Sequence, residues 1–498
     1  MVVTPPQTGW TRAESPVAGL RRRGLTLTQV LAQSVAAVAP SAAMVTLPGI
    51  VIAEVGSAAI ACFAVAAAIV FLVGYCLSHF ARRMASASGL YSYTAKGLGP
   101  VAAFTAGWAL MIGYLGIALA SVLASALYFT SLIELVGLAA AGSTVVLSAT
   151  IPVLAGLAAL LMVRGIKLSA RVALGLEVTS IALILAALAI LKINQAEGIT
   201  APPASTGRLT IDAVGLGVVL AVTSFVGFES AGTLGVEAKR PLVSIARAMR
   251  WLPLVLGVLY LVAVTAQVAT LAAAPLDIGR SPTPVADLTR LRGDTALSAV
   301  IDIGVAASFF ACIIGSGNAF VRIVFSMGRE GIFPTVLGRT HRRYATPHIA
   351  TVALLTLLVF VPLIMVVAHT APRTSLVALL TLSAFGYLTS YTLVCIATPT
   401  FLWRIGELTA RPLLAGIVAS LTMGTIIYAA FAATLSADSS VPIAFLLTMV
   451  TGWLLLGAIW LNDRSRLRNI GVYDETLTRD VYIGVTPYGN DMAETDGR

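Results

Sequence analysis

The chain has 498 residues, of which 58% are hydrophobic and only 11% carry a charge, and its formal net charge is +10. A soluble protein of this length would contain about three domains. Instead, apolar runs of about 20 residues or more recur along the chain, and each is long enough to cross a bilayer as a helix. These proportions exclude an ordinary soluble protein and indicate an all-α integral membrane protein.

Twelve membrane spans are predicted between a polar amino-terminal tail, 1–24, and a polar carboxyl-terminal tail, 462–498. Span 1 follows three arginines and extends from Leu27 to Val55, which is too long for the apolar region of a signal peptide. Span 6 begins near Val214 and stops at Lys239, Arg240 and Pro241, and the other spans are 57–80, 101–129, 143–162, 166–191, 251–273, 296–325, 348–368, 375–398, 413–435 and 441–460.

The positive charge is concentrated on one side of these spans. With the amino terminus in the cytoplasm, 26 of the 32 Lys and Arg residues fall in inside-facing segments. The six outside-facing ones are Lys192, Arg208, Arg280, Arg290, Arg292 and Arg373. Basic charge in cytoplasmic loops orients a membrane protein. We therefore predict a multi-pass protein of the cytoplasmic membrane, in contact with lipid, with both termini inside and no nucleic-acid partner.

Span 1 contains Pro40 among Ala and Ser residues. Proline in a helix interior removes one hydrogen bond and clashes with the preceding turn, at about 3 kcal/mol. The small neighbours would let a ligand or another backbone approach closely. The pattern predicts a break in the span, with a tolerated proline kink as the alternative.

Span 6 carries a carboxylate, Glu229, at mid-span between Gly227 and Gly232. A charged side chain at the bilayer centre costs about 2.5–3.5 kcal/mol on insertion scales, and each glycine weakens a helix by about 1 kcal/mol relative to alanine. A weak helix with an acid at this depth predicts a solute site. The alternative is a kinked helix whose acid is bound by its neighbours.

The two halves of the chain correspond to each other. Spans 1 and 6 are both interrupted, and spans 3 and 8, which are both long, lie five spans apart. An offset of five helices turns the second copy upside down in the membrane. Corresponding breaks in two such halves point to the binding site of a transporter.

Three ordered signatures resemble the amino acid–polyamine–organocation permeases, in particular their bacterial amino acid permease branch. They are Ser224–Pro241, then Ala87–Tyr93 with Gly107-Trp108, and Asn318–Pro334, which resemble the family's sixth helix, its link from helix 2 to helix 3 and the end of its eighth helix. Each is weak alone, but together they cover about residues 25–400. One departure is Ala39–Ala43, where many members have a Gly-x-Gly break.

The resemblance implies a five-plus-five inverted-repeat core of helices 1–5 and 6–10, with helices 1 and 6 discontinuous and two peripheral helices. The core would occupy 25–403 and the peripheral helices 404–461. It also implies a substrate bound where helices 1 and 6 unwind, so that freed N–H groups and helix dipoles bind a carboxylate and freed carbonyls bind an ammonium group.

The expected substrate-binding residues follow from these breaks. Ser41, Ala42 and Ala43 would bind the carboxylate beside the break at Ala39 and Pro40. The carbonyls of Phe225 and Val226, with Gly227 supplying backbone freedom, would bind the ammonium group. Tyr114 and Phe228 are candidates for lining the pocket, and Phe309 and Phe310 are weaker candidates; packing is the alternative for all four.

Two buried acids, Glu229 in span 6 and Glu177 midway along span 5, are the candidates for proton coupling. Glu177 could instead bond a neighbouring helix. Few acids lie near the breaks, which favours protons, although sodium coupling stays open because carbonyl and hydroxyl sites leave little trace in a sequence. At the cytoplasmic end of span 6, Glu237, Lys239 and Arg240 would either form a gate or anchor the topology.

The predicted function is secondary active transport of an amino acid or related amine, by proton symport with alternating access. The alternatives are an amino acid/amine exchanger and a polyamine transporter. An integral-membrane enzyme would need a nucleophile–base set or metal ligands at depth, and the sequence offers neither. No cofactor or metal is expected: the four cysteines form no CxxC pair, and no GxxxxGK[ST] motif for ATP occurs.

Overall fold

The computed structural model of the protein describes residues 17, 19–138, 143–196, 211–272, 283–437, 439–467 and 469–471. Most of both predicted tails lies outside the described residues, as do Arg208 and Arg280 of the predicted outside loops. The described chain is helical, and its β-type pairing is limited to one isolated bridge between Leu25 and Ala238.

Sixteen α-helices make up the described chain. They are α1 Leu27–Val38, α2 Pro40–Val55, α3 Ala59–Ala81, α4 Leu90–Leu98, α5 Pro100–Leu135, α6 Thr144–Arg164, α7 Ile166–Ala196, α8 Ile211–Thr223, α9 Pro241–Ala272, α10 Pro284–Leu291, α11 Thr295–Arg329, α12 His348–Val367, α13 Pro372–Arg404, α14 Ala410–Ala437, α15 Ser440–Asn462 and α16 Arg464–Leu467. Short 3₁₀ helices occupy Gly56–Ala58, Phe228–Leu234 and Thr335–Gly338.

Eleven stretches of the described chain are long and apolar enough to cross a membrane. The first, Leu27–Ala81, has 55 residues and contains α1, α2 and α3, whereas one crossing needs about 20 residues. The protein is therefore a multi-pass membrane protein. The count of twelve spans stays a prediction.

The two longest helices lie at the centre of the fold. α5 has 36 residues and α11 has 35, and they pack along each other and against α13, α7 and α1. α14 and α15 lie outside this core and expose large apolar side chains such as Leu421 and Leu454, as lipid-facing helices do. The core therefore consists of the helices that the sequence assigns to the two repeats, and the last two helices are peripheral.

The predicted discontinuity of helix 1 is confirmed, and its geometry differs from an interior proline kink. α1 ends at Val38, and Ala39 adopts the left-handed conformation, with φ 53° and ψ 58°. Pro40 is the first residue of α2, a position at which its missing N–H and fixed φ are favourable. Ala39 thus makes the break, and Pro40 begins the second half-helix.

The predicted discontinuity of helix 6 is confirmed as well. α8 ends at Thr223, and the chain turns until Gly227, whose φ of 98° lies in the region that favours glycine. A 3₁₀ helix then continues to Leu234. A Cβ placed on Gly227 would stand 2.7 Å from the carbonyl oxygen of Ala37. The break in helix 6 therefore lies directly against the end of α1, two residues before Ala39.

Two short helices lie in segments that the sequence assigns to loops. α4 occupies part of the basic link after span 2, and α10 occupies part of the loop before span 8. Both are too short for their hydrophobic periodicity to identify a helix in the sequence, since α4 has 9 residues and α10 has 8. Tertiary packing holds them: α4 against α5 and α13, and α10 against α11 and α2.

Candidate functional site

A small cavity of about 40 Å³ lies between the two helix breaks. Its walls come from α1 and α2, from α5, from the turn after α8, and from α11 and α13. They are formed by Val38, Ala39, Ala43, Thr46, Leu47, Ile117, Thr223, Ser224, Val226, Phe309, Cys312, Leu380, Ser383 and Ala384. The wall is largely apolar and contains no charged side chain, as in many sites for small organic molecules.

One hydroxyl group in this wall has no hydrogen-bond partner. Ser224 is only 2% exposed, and its Oγ makes no hydrogen bond among the described residues. The other hydroxyls of the wall are engaged: Thr46 donates to the carbonyl of Ala42, Thr223 to that of Leu220, and Ser383 to that of Gly113. A buried polar group without a partner is unfavourable, so Ser224 is the wall residue best suited to meet a polar ligand.

Some of the predicted binding residues line this cavity, and others do not. Ala39, Ala43 and Val226 line the cavity, as does Phe309, whereas Phe310 does not.

The rings of two residues near the break pack elsewhere: Phe225, which was predicted to bind through its carbonyl, and Phe228, which was predicted to line the pocket. The Phe225 ring packs edge-on against Tyr260 at 4.9 Å, and the Phe228 ring lies 5.8 Å from Tyr391. The sequence could not separate these positions, because all of them are apolar residues beside a break.

The first turn of α2 already has hydrogen-bond acceptors. The N–H of Ser41 donates to Glu177 Oε1 at 2.9 Å, and the Ser41 hydroxyl donates to the same oxygen at 2.7 Å. The N–H of Ala42 donates to the Ser308 hydroxyl at 3.1 Å, and that hydroxyl donates to Glu177 Oε1 at 3.1 Å. The N–H of Ala43 donates to Ala39 within the helix. A carboxylate of the protein therefore occupies the position that the sequence assigns to the substrate carboxylate.

Glu229 is fully buried among polar partners and does not face lipid. Tyr114 donates its hydroxyl to Glu229 Oε1 at 2.6 Å, and the N–H of Gly227 donates to Oε2 at 3.1 Å. Tyr391 on α13 also donates to Oε2. Two tyrosine hydroxyls and one peptide N–H therefore surround both carboxyl oxygens. Tyr114 thus binds this acid and is absent from the cavity wall.

A buried ion pair lies at the end of helix 6 that the sequence predicts to face the cytoplasm. Arg322 on α11 is 2% exposed, and its Nε and Nη2 lie 2.9 and 2.6 Å from Glu237 Oε2. The backbone of Glu237 also accepts hydrogen bonds from Gly24 and Leu25, the residues that precede α1. Glu237 therefore joins the start of helix 1, the end of helix 6 and α11. Lys239 and Arg240 are exposed at the same end.

Three residues of this region, Ser224, Ser308 and Tyr391, were not predicted from the sequence. Tyr391 had a detectable signal, because two tyrosines, Tyr387 and Tyr391, lie one helical turn apart in the middle of an apolar span. The two serines have none, because isolated serines are common in membrane helices. Within the described residues, no group of three or more His, Cys, Asp and Glu is placed to hold a metal ion.

Comparisons with known proteins agree with this architecture. The chain is 26% identical over 289 residues to the methylthioribose transporter and 23% identical over 286 residues to the branched-chain amino acid permease BcaP, both of Bacillus subtilis strain 168. Each match covers 55% of this chain and spans 60% of the relative.

A solved structure, the manganese transporter of Eremococcus coleocola in complex with an aromatic bis-isothiourea substituted compound, shares the fold. Its TM-score is 0.54 at 13% identity, over 88% of this chain and 94% of that one. The relatives are transporters and permeases, in agreement with the prediction that the chain is not an enzyme. The amino acid permease family model matches residues 25–459, and the chain belongs to that family.

Proposed function

We propose that the protein is a secondary active transporter that moves an amino acid or related amine across the cytoplasmic membrane by alternating access. The observation that carries this proposal is the cavity between the breaks at Ala39 and Gly227, with Ser224 in its wall, whose buried hydroxyl has no partner among the described residues. Discontinuous helices place backbone donors and acceptors at mid-membrane depth. Family membership and the named relatives support the same function.

Ala39, Ala43, Val226 and Ser224 are the residues that we assign to the substrate. Their neighbours are small or apolar, and Ala39 has the left-handed backbone conformation that ends α1. Phe309 supplies the aromatic part of the wall. A solute that fills this space would meet backbone groups from helices 1 and 6 together, so its binding would favour the closure of one half of the core on the other.

Glu229 is the residue that we assign to proton coupling. It lies in the 3₁₀ segment directly after the break, and its carboxylate contacts α5 through Tyr114 and α13 through Tyr391. A proton on either oxygen would require at least one of these donors to turn away, because a protonated oxygen no longer accepts in the same way. Protonation would therefore loosen the contact between helix 6 and two helices of the core.

The orientation that we propose places both termini in the cytoplasm. It rests on the excess of Lys and Arg in the segments assigned to that side. The buried pair Glu237–Arg322 would then seal the cytoplasmic end of the site. Opening towards the cytoplasm would break this pair and the backbone contacts of Leu25 with Glu237.

The test is uptake by purified full-length protein in proteoliposomes. Radiolabelled amino acids and amines are supplied outside, with an inward proton gradient, an inward sodium gradient or no gradient. We expect uptake that rises with the proton gradient and is indifferent to sodium. Uptake that needs a preloaded counter-substrate would indicate an exchanger. Absence of uptake of every amino acid and amine under all conditions would contradict the proposed function.

A further inference from the structure

The N-terminus of α2 is where a transported carboxylate would be expected, yet this position is occupied from within the chain. Glu177 reaches it from α7, and its Oε1 accepts from the N–H and the hydroxyl of Ser41 and from the hydroxyl of Ser308. The N–H of Ala42 is satisfied by Ser308 in turn. Both free donors of the first turn are therefore used before any ligand arrives.

A substrate carboxylate could reach these donors only by displacing Glu177. It would break three hydrogen bonds to a buried carboxylate, and hydrogen bonds to charged groups are the stronger ones. In the ionised form of Glu177 it would also bring a second negative charge beside the first in an apolar setting, where like charges repel strongly. The helix N-terminus is favourable for one anion, and Glu177 supplies it.

The surroundings favour a cation. Glu177 and Glu229 are both fully buried, and neither has a Lys, Arg or His within ion-pair distance among the described residues. The cavity wall itself contains no basic side chain. Glu177 is not itself among the wall residues; its contacts Ser41 and Ser308 are next but one to Ala43 and next to Phe309 in the sequence, and both of these line the cavity. When these two acids are ionised, the described residues supply no basic side chain to balance them.

One oxygen of Glu177 is also unused. Its Oε2 is buried and has no hydrogen-bond partner in the described part of the chain. A buried acceptor without a donor is unfavourable, and an ammonium group would supply both the missing donor and the missing charge. This observation is independent of the contacts that Oε1 makes with α2.

We infer that the substrate carries an amino group and no free carboxylate, and that Glu177 determines this specificity by holding the carboxylate position of α2. The inference rests on the proposed transport function. It narrows the class of transported substrates from amino acids and amines to amines alone. Glu177 acts as an internal substitute for the carboxylate of a substrate. An amino acid and the amine left by its decarboxylation are thus distinguished by a side chain of α7.

The experiment compares matched pairs of compounds on the full-length protein in nanodiscs. The pairs are L-leucine with 3-methylbutylamine, L-ornithine with putrescine, and L-phenylalanine with 2-phenylethylamine. Dissociation constants are measured, and uptake of the same compounds is followed in proteoliposomes. We expect the amine of at least one pair to bind ten times more tightly than its amino acid. Equal binding, or tighter binding of the amino acid in every pair, would overturn the inference.

Variants then test the role of Glu177. Glu177→Ala frees the N–H and the hydroxyl of Ser41, and the ratio of amine to amino acid affinity is expected to fall at least tenfold. Glu54→Ala, at an exposed acid near the end of α2, is the control and should leave the ratio unchanged. If Glu177→Ala fails to fold, Ser308→Ala removes one contact of Glu177 and should lower the ratio in the same direction. A folded variant with an unchanged ratio would overturn the assignment.

The outcomes of these measurements distinguish a failure of the inference from a failure of the proposed transport function. Uptake of amino acids in preference to amines would leave the transport function standing and overturn the inference. Absence of uptake of either series would contradict the transport function, and the inference would fall with it.

Discussion

The carbonyl oxygen of Ala37 lies so close to Gly227 that a Cβ at residue 227 would stand only 2.7 Å from it. Ala37 belongs to the last turn of α1, and Gly227 precedes the 3₁₀ segment of helix 6. The same carbonyl is approached by Cys312 Sγ at 3.2 Å from α11. The ends of two half-helices and one long helix thus meet at a single peptide group, beside the cavity.

Gly227→Ala is expected to destabilise the protein and abolish uptake. The added methyl group meets backbone atoms of Ala37, and a left-handed φ costs a non-glycine residue about 1–2 kcal/mol. The midpoint of thermal denaturation should fall by several degrees. Gly156→Ala on α6 is the control, since its Cβ meets nothing within 4 Å and alanine is the better helix former. Equal midpoints for the two variants would contradict the close contact.

Ala39→Gly is expected to keep or raise the stability and to preserve uptake. Ala39 already holds a left-handed conformation, with φ 53°, which costs about 1–2 kcal/mol and which glycine adopts freely. Ala187→Gly, at a buried position within α7, should instead lose about 1 kcal/mol. Thermal midpoints of the two variants measure the difference. A larger loss for Ala39→Gly than for Ala187→Gly would show that Ala39 is not the strained residue of the break.

Glu229→Gln is expected to abolish the dependence of uptake on the proton gradient. Glutamine keeps the size of the side chain, but it cannot take up and release a proton, and its NH₂ group faces donors such as Tyr391 and Gly227. Exchange of labelled for unlabelled substrate at equal pH should persist at a reduced rate. Uptake is measured from pH 5 to pH 8, with the exposed acid variant Glu54→Gln as control. An unchanged pH profile would remove the coupling role.

Glu237→Gln is expected to be strongly destabilising, because it leaves the guanidinium group of Arg322 buried without its partner. Such a loss typically costs about 3–5 kcal/mol, whereas replacement of both members by apolar residues is often close to neutral. The double variant Glu237→Met/Arg322→Met should therefore denature at a higher temperature than Glu237→Gln. The matched control is Glu407→Gln, whose pair with Arg83 is solvent-exposed and should contribute little. Similar effects of Glu237→Gln and Glu407→Gln would contradict the role of burial.

The sequence predicts the fold because its signals are local or compositional. The length of the apolar runs defines the membrane class, and Pro40 and Gly227 mark two breaks about 190 residues apart. Both breaks are present, although the left-handed residue of the first is Ala39. Alanine has a high propensity for helix interiors. The left-handed conformation of Ala39 is therefore imposed by the surrounding packing.

The contents of the site could not be predicted in the same way. Ser41 and Glu177 are separated by 136 positions, and their contact depends on the rotation of α7 about its own axis. A span that is apolar on nearly all sides does not reveal that rotation. The contact of Tyr391 on α13 with Glu229 depends in the same way on the rotation of a largely apolar helix. The sequence identifies the acids and the helix breaks. The packing of the helices determines which acid is hydrogen-bonded at which break.

Ser224 offers the most direct test of the cavity as the substrate site. Its hydroxyl has no partner among the described residues, so Ser224→Ala should leave the thermal midpoint unchanged or slightly higher. A ligand that hydrogen-bonds to this group would lose about 1–1.5 kcal/mol, which weakens its affinity roughly five- to tenfold. Ser436→Ala, at an exposed serine of α14, is the control.

The decisive measurement is the dissociation constant of the tightest-binding amine or amino acid in wild type, Ser224→Ala and Ser436→Ala. We predict a five- to tenfold rise for Ser224→Ala alone, with no loss of stability. An unchanged dissociation constant for Ser224→Ala would place the substrate elsewhere and contradict the account.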